Sequence, residues 1–387
     1  MNKDPAVDST RLFSAGRDIK TPFQAFLYSG YDGMGIRCTR VLRSLPGKRL
    51  VCSGEKNSEK IVAKFFLNPR KGKKHCLREE QGICALNEAG ISTPELVFKG
   101  SADPAGNQPV LVFRLLERAI NYTDAWQQAE TDACRVGLLK NLATVIAKIH
   151  SAGLIHNDAH SGNFMVSGNT LYAVDGASVD IHHRGKPLSR VKSIKNLAAV
   201  FAQFQSRFGA LIFEAFSGYI EKRGWTENSG VVDFLARQIR IQRSKREKKH
   251  LKKIYRESSA QVCSKAWGHF MLCKRDCYTP DMARFLGDPD SYISEGKILK
   301  AGNSSTVALV KADRHILVVK RYNIKNFWHA ISRCPRPSRA WRSWENAHRL
   351  SMIEIATPRP VALLEKRWGP FRSRAYFITE YAAGIDG

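Results

Sequence analysis

The stretch 156-HNDAHSGNF-164 and the run 171-LYAVDG-176 put two histidines, two aspartates and Asn163 within twenty residues. Three kinds of chemistry suit such a set. Alternate residues of a strand face one side, so His156, Asp158 and His160 can be read as metal ligands. That reading leaves Asn163 and Asp175 without a task. A second reading is an ordinary polar turn between strands. The third is a catalytic loop: Asp158-x4-Asn163 sets a carboxylate base at the start and an amide oxygen at the end. The run 171-LYAVDG-176 then reads as a strand delivering Asp175, with Gly176 allowing a sharp turn beside it. Asn and Asp supply the hard oxygens that Mg²⁺ prefers.

Phosphoryl transfer from ATP needs such oxygens, a carboxylate to take the proton of the attacking hydroxyl, and a lysine on the phosphates. Lys64 fits the last role. It sits among apolar neighbours in 60-KIVAKFFL-67, where burial is costly unless an anion pairs with it. Glu79, in the next helical stretch, is a natural partner, and Glu80 would replace it in another helix register.

These residues need a scaffold, and the pattern supplies one. Residues 36–55 read as two strands around a Pro-Gly turn, and 60–67 as a third. Leu77 to Ala89 has helical apolar spacing and stops at Gly90. Two further strands, 91–100 and 109–117, follow. Residues 132–152 and 195–222 read as helices. The order then recurs: strand, turn 302-GNSS-305, strand, a strand with Lys320, a helix over 340–350 carrying Glu345 in a different register, and strands over 355–367 and 375–384. The pairs ISTPELV/IATPRPV and IVAKFF/LVVKRY match in the same order, which argues for a duplicated unit. No second HxDxxxxN follows 380-EYAAGIDG-387, so the second copy reads as truncated. Trp328, Trp341 and Trp344 read as packing rather than as a stacking surface.

At 387 residues, two or three domains are expected. The net charge of +27 favours anionic partners, among them nucleic acid, phosphorylated sugars, nucleotides and an anionic membrane face. No nucleic-acid-binding motif accompanies the charge, and nucleic acid is not expected. The basic stretches 68–78 and 237–256 are either solvated faces or patches for anionic lipid or phosphosugar. Nine scattered cysteines without a CxxC pair read as reduced thiols. The N-terminus has no apolar h-region, and no segment is long enough to span a bilayer, so a cytoplasmic protein is expected, peripheral where it meets the inner membrane.

The set Lys64, Glu79, HND (156–158), Asn163 and Asp175-Gly176 resembles the protein-kinase-like superfamily. HxDxHxGN, 78-REEQGICALNEAGISTP-94, and 319–330 through 336–344 narrow the resemblance to the bacterial lipopolysaccharide core kinases, the group of Kdo and heptose kinases, in a tandem member. The resemblance implies an α+β fold of two lobes, a β-rich N-lobe and a helical C-lobe. The expected divisions are a lead-in over 1–35, a kinase-like domain over 36–285 (N-lobe 36–120, C-lobe 121–285) and a second N-lobe over 286–387. It also implies ATP and Mg²⁺ as cofactors, Asp158 as catalytic base, Asn163 and Asp175 as metal ligands, and Lys64 with Glu79 on the α/β-phosphates. Leu45-Pro46-Gly47-Lys48 would cover the phosphates, so Gly47 and Lys48 join the nucleotide site, although one glycine stands where kinases carry GxGxxG. The implied acceptor is a sugar hydroxyl of the lipopolysaccharide core, or a lipid-linked form of it. A pseudokinase scaffold without phosphotransfer is the alternative.

Overall fold

The computed structural model describes residues 19–30, 32–226, 228–323, 337–353, 355–369 and 371–383. Trp328 lies outside them. The chain forms two compact units, Met1–Gln242 and Arg243–Gly387.

The first unit begins with strands β1 (Phe23–Ser29), β2 (Asp32–Leu45), β3 (Arg49–Lys56) and β4 (Glu59–Phe66). Helix α1 (Gly72–Glu88) follows, then β5 (Leu96–Ser101) and β6 (Pro109–Arg114). The strands close into a barrel in the order β1-β2-β3-β4-β6-β5, with Tyr28 opposite Ser101 at the seam. Alternation decides which face each residue takes. Ile61, Ala63 and Phe65 of β4 are buried with Phe23, Leu27, Leu50 and Val112 inside the barrel. Lys64 is therefore sent to the opposite face, where Phe66, Ile83, Leu111 and Phe113 form a separate apolar cluster.

The rest of this unit is mainly helical. Strand β7 (Ile120–Asn121) leads to α2 (Tyr122–Gln128) and α3 (Asp132–Ser151). Asn121 and Thr131 cap the two helices through side-chain oxygens. Short strands β8 (Leu154–His156), β9 (Phe164–Ser167), β10 (Thr170–Ala173) and β11 (Val179–Ile181) pair as β10-β9-β7 and β11-β8. Helices α4 (Arg190–Phe201) and α5 (Gly209–Lys222) complete it, and α6 (Ser229–Lys253) begins in it and ends in the second unit. Leu139, Leu142, Ile146 and Ile149 repeat at helical spacing along α3 and share one core with Leu197 and Phe216.

The second unit holds β12 (Gln261–Ala266), β13 (His269–Lys274), α7 (Pro280–Gly287), α8 (Pro289–Glu295), β14 (Lys297–Ala301), β15 (Ser305–Ala312) and β16 (His315–Tyr322). After α9 (Arg339–Met352) come β17 (Pro360–Trp368) and β18 (Phe371–Glu380). Its sheet runs β12-β13-β17-β18-β16-β15-β14. Trp344 is fully buried and Trp341 stacks on Tyr255 at 4.2 Å, so both pack as expected.

Three boundaries differ from the sequence reading. Strand β1 lies inside the presumed lead-in 1–35, because Phe23, Ala25 and Leu27 alternate inward and pair with β2 in the register Phe23↔Cys38. Helix α1 starts at Gly72 rather than Leu77; its first turn is basic, so apolar spacing could not reveal it. Residues 261–274, expected in a helical C-lobe ending at 285, form a hairpin, and β13 hydrogen-bonds to β17 of the second sheet. In β13 the run 270-FMLC-273 is buried at every position, and such a run carries no period to separate strand from helix.

Candidate active site

The site is built where the barrel face bearing Lys64 meets the loops between β8 and β11. Lys64 donates from Nζ to Glu79 Oε1 at 2.5 Å and to the Val174 carbonyl at 2.8 Å. It also lies 5.0 Å from the centre of the Phe113 ring. Glu79 is wholly buried on α1, and its carboxylate accepts the Gly176 amide at 3.3 Å. Glu80 instead pairs with Lys99 at 2.8 Å, so the register question resolves in favour of Glu79.

That pairing needs α1 to lie against the backbone that follows Asp175, and two glycines permit it. A Cβ on Gly82 would overlap the Gly176 carbonyl, and one on Gly176 would come 2.7 Å from the Ile83 nitrogen. Gly176 was expected only to turn the chain. Its second task, and Gly82's whole task, is close approach of helix to loop.

Asn163 ends a 3₁₀ turn, Ser161–Asn163. The His160 ring accepts the Gly162 amide at 2.9 Å, and Gln203 accepts the Ser161 amide at 2.6 Å. The Asn163 Nδ2 donates to the Asp158 carbonyl at 2.8 Å and lies 3.4 Å from Asp175 Oδ2. With its nitrogen so engaged, the amide turns its oxygen the other way. Asp175 accepts the Ala177 amide and the Ser178 hydroxyl, each at 3.1 Å. Burial works to raise the Asp175 carboxyl, but the charges of Lys64 and Arg49 and the Ser178 hydroxyl hold it below the usual carboxylate range. Asp175 is thus an anion at neutral pH.

His156 is fully buried, and burial pushes its imidazole down despite the nearby Asp175 and Asp158. It stays neutral, with its ring 5.7 Å from Phe164. Asn157 donates to Asp180, and Arg78 reaches the same carboxylate at 2.7 Å, which ties the loop to α1. Asp158 differs from its neighbours: 64% of its side chain is exposed, and His160 Nε2 lies 3.9 Å away.

A cavity of about 390 Å³ opens between these groups, lined by Lys64, Asn163, Asp175 and the apolar side chains Val51, Val62, Leu115, Met165 and Val174. Arg43 and Arg49 line it too, whereas Gly47 and Lys48 do not. Gly47 has φ +64° and sits in an exposed turn with Lys48. The two arginines were missed because they lie in strands, where the pattern assigns them to a solvent face. Arg49 Nη1 stands 3.9 Å from Glu79 Oε2. In the second unit, Glu345 accepts a hydrogen bond from Tyr255 at 3.0 Å and pairs with Arg349 at 2.8 Å, while Lys320 lies over Tyr322. Among the described residues, Cys277, His315 and Glu380 bring three ligand atoms within 4.8 Å of one another, but Glu380 also pairs with Arg359 at 2.8 Å.

Residues 55–227 match the family described as Lipopolysaccharide kinase (Kdo/WaaP) family. No curated protein matches the chain. Among solved structures, the chain is similar to WaaP in complex with acyl carrier protein, at 20% identity, with a TM-score of 0.39 over 52% of this chain and 88% of that one. It is also similar to vaccinia related kinase 3, at 9% identity, with a TM-score of 0.36 over 63% of this chain and 94% of that one. The match to the lipopolysaccharide kinase (Kdo/WaaP) family lies within the first unit, over residues 55–227, and the activity that goes with that family is phosphotransfer.

Proposed function

We propose that the first unit transfers the γ-phosphoryl group of ATP to a sugar hydroxyl of the lipopolysaccharide core, a heptose or Kdo. The observation that carries this is the meeting, on one cavity, of the Lys64–Glu79 ion pair with Asn163 and Asp175. The apolar walls Val51, Val62 and Met165 suit a purine, and Lys64, with Arg43 and Arg49, faces its phosphates. Asn163 and Asp175 fit Mg²⁺: one is an amide with its nitrogen already engaged, the other a carboxylate held ionised. Bound there, the metal would neutralise charge on the transferring phosphate.

The remaining steps belong to side chains. Lys64 holds phosphate oxygens in place while Glu79 fixes its ammonium from behind. Asp158, exposed at the mouth of its loop, accepts the proton of the acceptor hydroxyl as the oxygen attacks phosphorus. His156 and His160 support the loop and move no proton in this scheme. Residues 297–380 read as a second kinase-like N-lobe. The order β14-β15-β16-β18-β17 repeats β2-β3-β4-β6-β5, with a helix after the third strand in each. No helix among the described residues is long and apolar enough to cross a membrane. We place the protein at the cytoplasmic face of the inner membrane, where a lipid-linked acceptor is presented.

The test is phosphate transfer from ATP with Mg²⁺ to purified core oligosaccharide, comparing wild type with Asp158→Asn. A loss of about 10²- to 10⁴-fold in kcat is expected for a general base. Equal incorporation by both proteins removes Asp158 from the mechanism. A wild type that binds no nucleotide turns the reading to the scaffold.

A further inference from the structure

The two most exposed large apolar side chains among the described residues are Trp267 and Trp368, each 69% exposed. Tryptophan is the residue with most to gain from burial, and two of them bare on one protein mark a contact surface. They are not scattered. Trp267 sits in the two-residue tip of the β12–β13 hairpin, between the paired Ala266 and His269. Trp368 is the last residue of β17 and pairs with Phe371 at the tip of the β17–β18 hairpin.

The tips are held side by side, because β13 pairs with β17 in the register His269↔Lys366. Two backbone bonds lock them beyond the ladder: Arg367 N to the Gly268 carbonyl at 2.8 Å, and Gly369 N to the Trp267 carbonyl at 3.1 Å. Gly369 has φ +58°, and a Cβ there would come 2.8 Å from the Trp267 ring, so the indole lies flat over bare backbone. The Trp267 and Trp368 rings meet edge to face at 6.3 Å, and Phe371, 47% exposed, stacks on Trp368 at 6.0 Å. The result is a rigid three-ring wedge.

Its surroundings are basic. Residues 261–274 and 366–374 contain six Lys or Arg and no Asp or Glu. Arg367 and Arg372 are drawn inward to the buried Glu365, and Arg374 pairs with Asp290. Lys265 is exposed and Lys366 half-buried beside the rings. Aromatic rings that are amphipathic at the edge, ringed by cations, suit the headgroup layer of an anionic bilayer.

We propose that Trp267, Trp368 and Phe371 form a membrane-docking wedge that inserts into the interfacial layer of an anionic lipid surface. This deepens the peripheral placement proposed above and rests on it. It moves the contact from the basic stretches alone to two hairpin tips, whose rings supply apolar depth while the lysines supply charge selectivity.

The experiment is co-sedimentation of the full chain with phosphatidylcholine vesicles, with and without phosphatidylglycerol. Wild type is expected to partition onto the anionic vesicles, and Trp267→Ser/Trp368→Ser to lose roughly tenfold or more of that partitioning. Both positions are exposed, so the thermal transition of the variant should match wild type; Phe371→Ser, a single change, gives a second reading with a smaller loss. Undiminished sedimentation of the double variant overturns the wedge. So does equal binding to neutral vesicles, which removes the charge argument, or binding to soluble polyglutamate but not to vesicles, which makes the partner an acidic protein. Transfer to soluble oligosaccharide is measured alongside: if it persists without vesicle binding, only the wedge falls. If vesicles bind but Asp158→Asn is as active as wild type, only the proposed mechanism falls.

Discussion

Replacing Lys64 and Glu79 separates what holds the first unit together from what it does. Glu79→Leu strands an ammonium that is only 13% exposed. Breaking a buried pair from one side costs about 3–5 kcal/mol. The Val174 carbonyl still accepts from Lys64 at 2.8 Å and Asp175 lies close, so the lower end applies, about 3 kcal/mol. For a unit of this size that is a fall in Tm of about 6 to 12 °C. Lys64→Met strands a carboxylate with no exposure at all, but Arg49 stands 3.9 Å away and Gly176 N still donates. Its cost should be smaller, about 2 kcal/mol. The double variant Lys64→Met/Glu79→Leu removes both charges and fills the space with apolar atoms beside Phe113 and Ile83. It should recover most of the loss, giving a coupling of at least about 2 kcal/mol in urea unfolding. Phosphotransfer should stay low in all three, because Lys64 is then either absent or no longer fixed by Glu79, and Arg43 and Arg49 alone do not replace it. A double variant whose destabilisation equals the sum of the singles refutes the reasoning, since the two side chains would then not be acting as a pair.

Three further outcomes follow from the same geometry. Gly82→Ala should destabilise the first unit by about 2–4 kcal/mol and lower kcat, since the new methyl must push α1 off the Gly176 carbonyl; urea melts and turnover read both. Arg49→Gln should raise KM for ATP about tenfold, the worth of one charge-assisted bond, while Lys48→Gln leaves it unchanged; steady-state kinetics decide between the strand and the turn as phosphate contact. Burial holds the His150 imidazole down at about 4 from its ordinary 6.5, with Asn196 and Tyr219 bonded to its two nitrogens. The unfolded chain therefore takes the proton first. Stability is full above 6.5 and falls by up to about 3 kcal/mol as pH drops toward 4, and His150→Gln should flatten that part of the urea-midpoint profile.

Where a pattern is one-sided, the sequence was legible. The alternation that buries Ile61, Ala63 and Phe65 leaves Lys64 on the other face, and the helical spacing of α3 predicts its core stripe. Lys64, Glu79, Asn163 and Asp175 were named by type and order alone; the fold brings Lys64, Asn163 and Asp175 to one cavity and buries Glu79 behind Lys64. What stayed hidden lacks a periodic signature. Strand β13 is buried on both faces, and β1 sets an exposed Phe26 between the inward Ala25 and Leu27, which blurs its alternation. Gly47 and Lys48 also stand off the cavity, and Arg43 and Arg49 line it instead. A glycine advertises a turn, whereas an arginine that a barrel edge turns toward a cavity looks from sequence like any solvated strand residue.

The loop 156–164 shows how burial sorts residues that the sequence leaves equal. Four of its side chains have structural work. His156 is sealed beneath the loop, Asn157 is spent on Asp180, His160 accepts the Gly162 amide, and Asn163 gives its nitrogen to the Asp158 carbonyl. That last bond matters twice, because it fixes the backbone under Asp158 and leaves the amide oxygen without a donor among the described residues. Asp158 alone keeps an anionic head in the open. A chelating trio of His156, Asp158 and His160 would need the His156 ring beside the other two, yet that ring is buried against Phe164 while theirs face solvent. The loop therefore divides its labour as the proposed transfer requires: the histidines hold its shape, Asn163 stands beside Asp175, and Asp158 is the carboxylate left open to solvent.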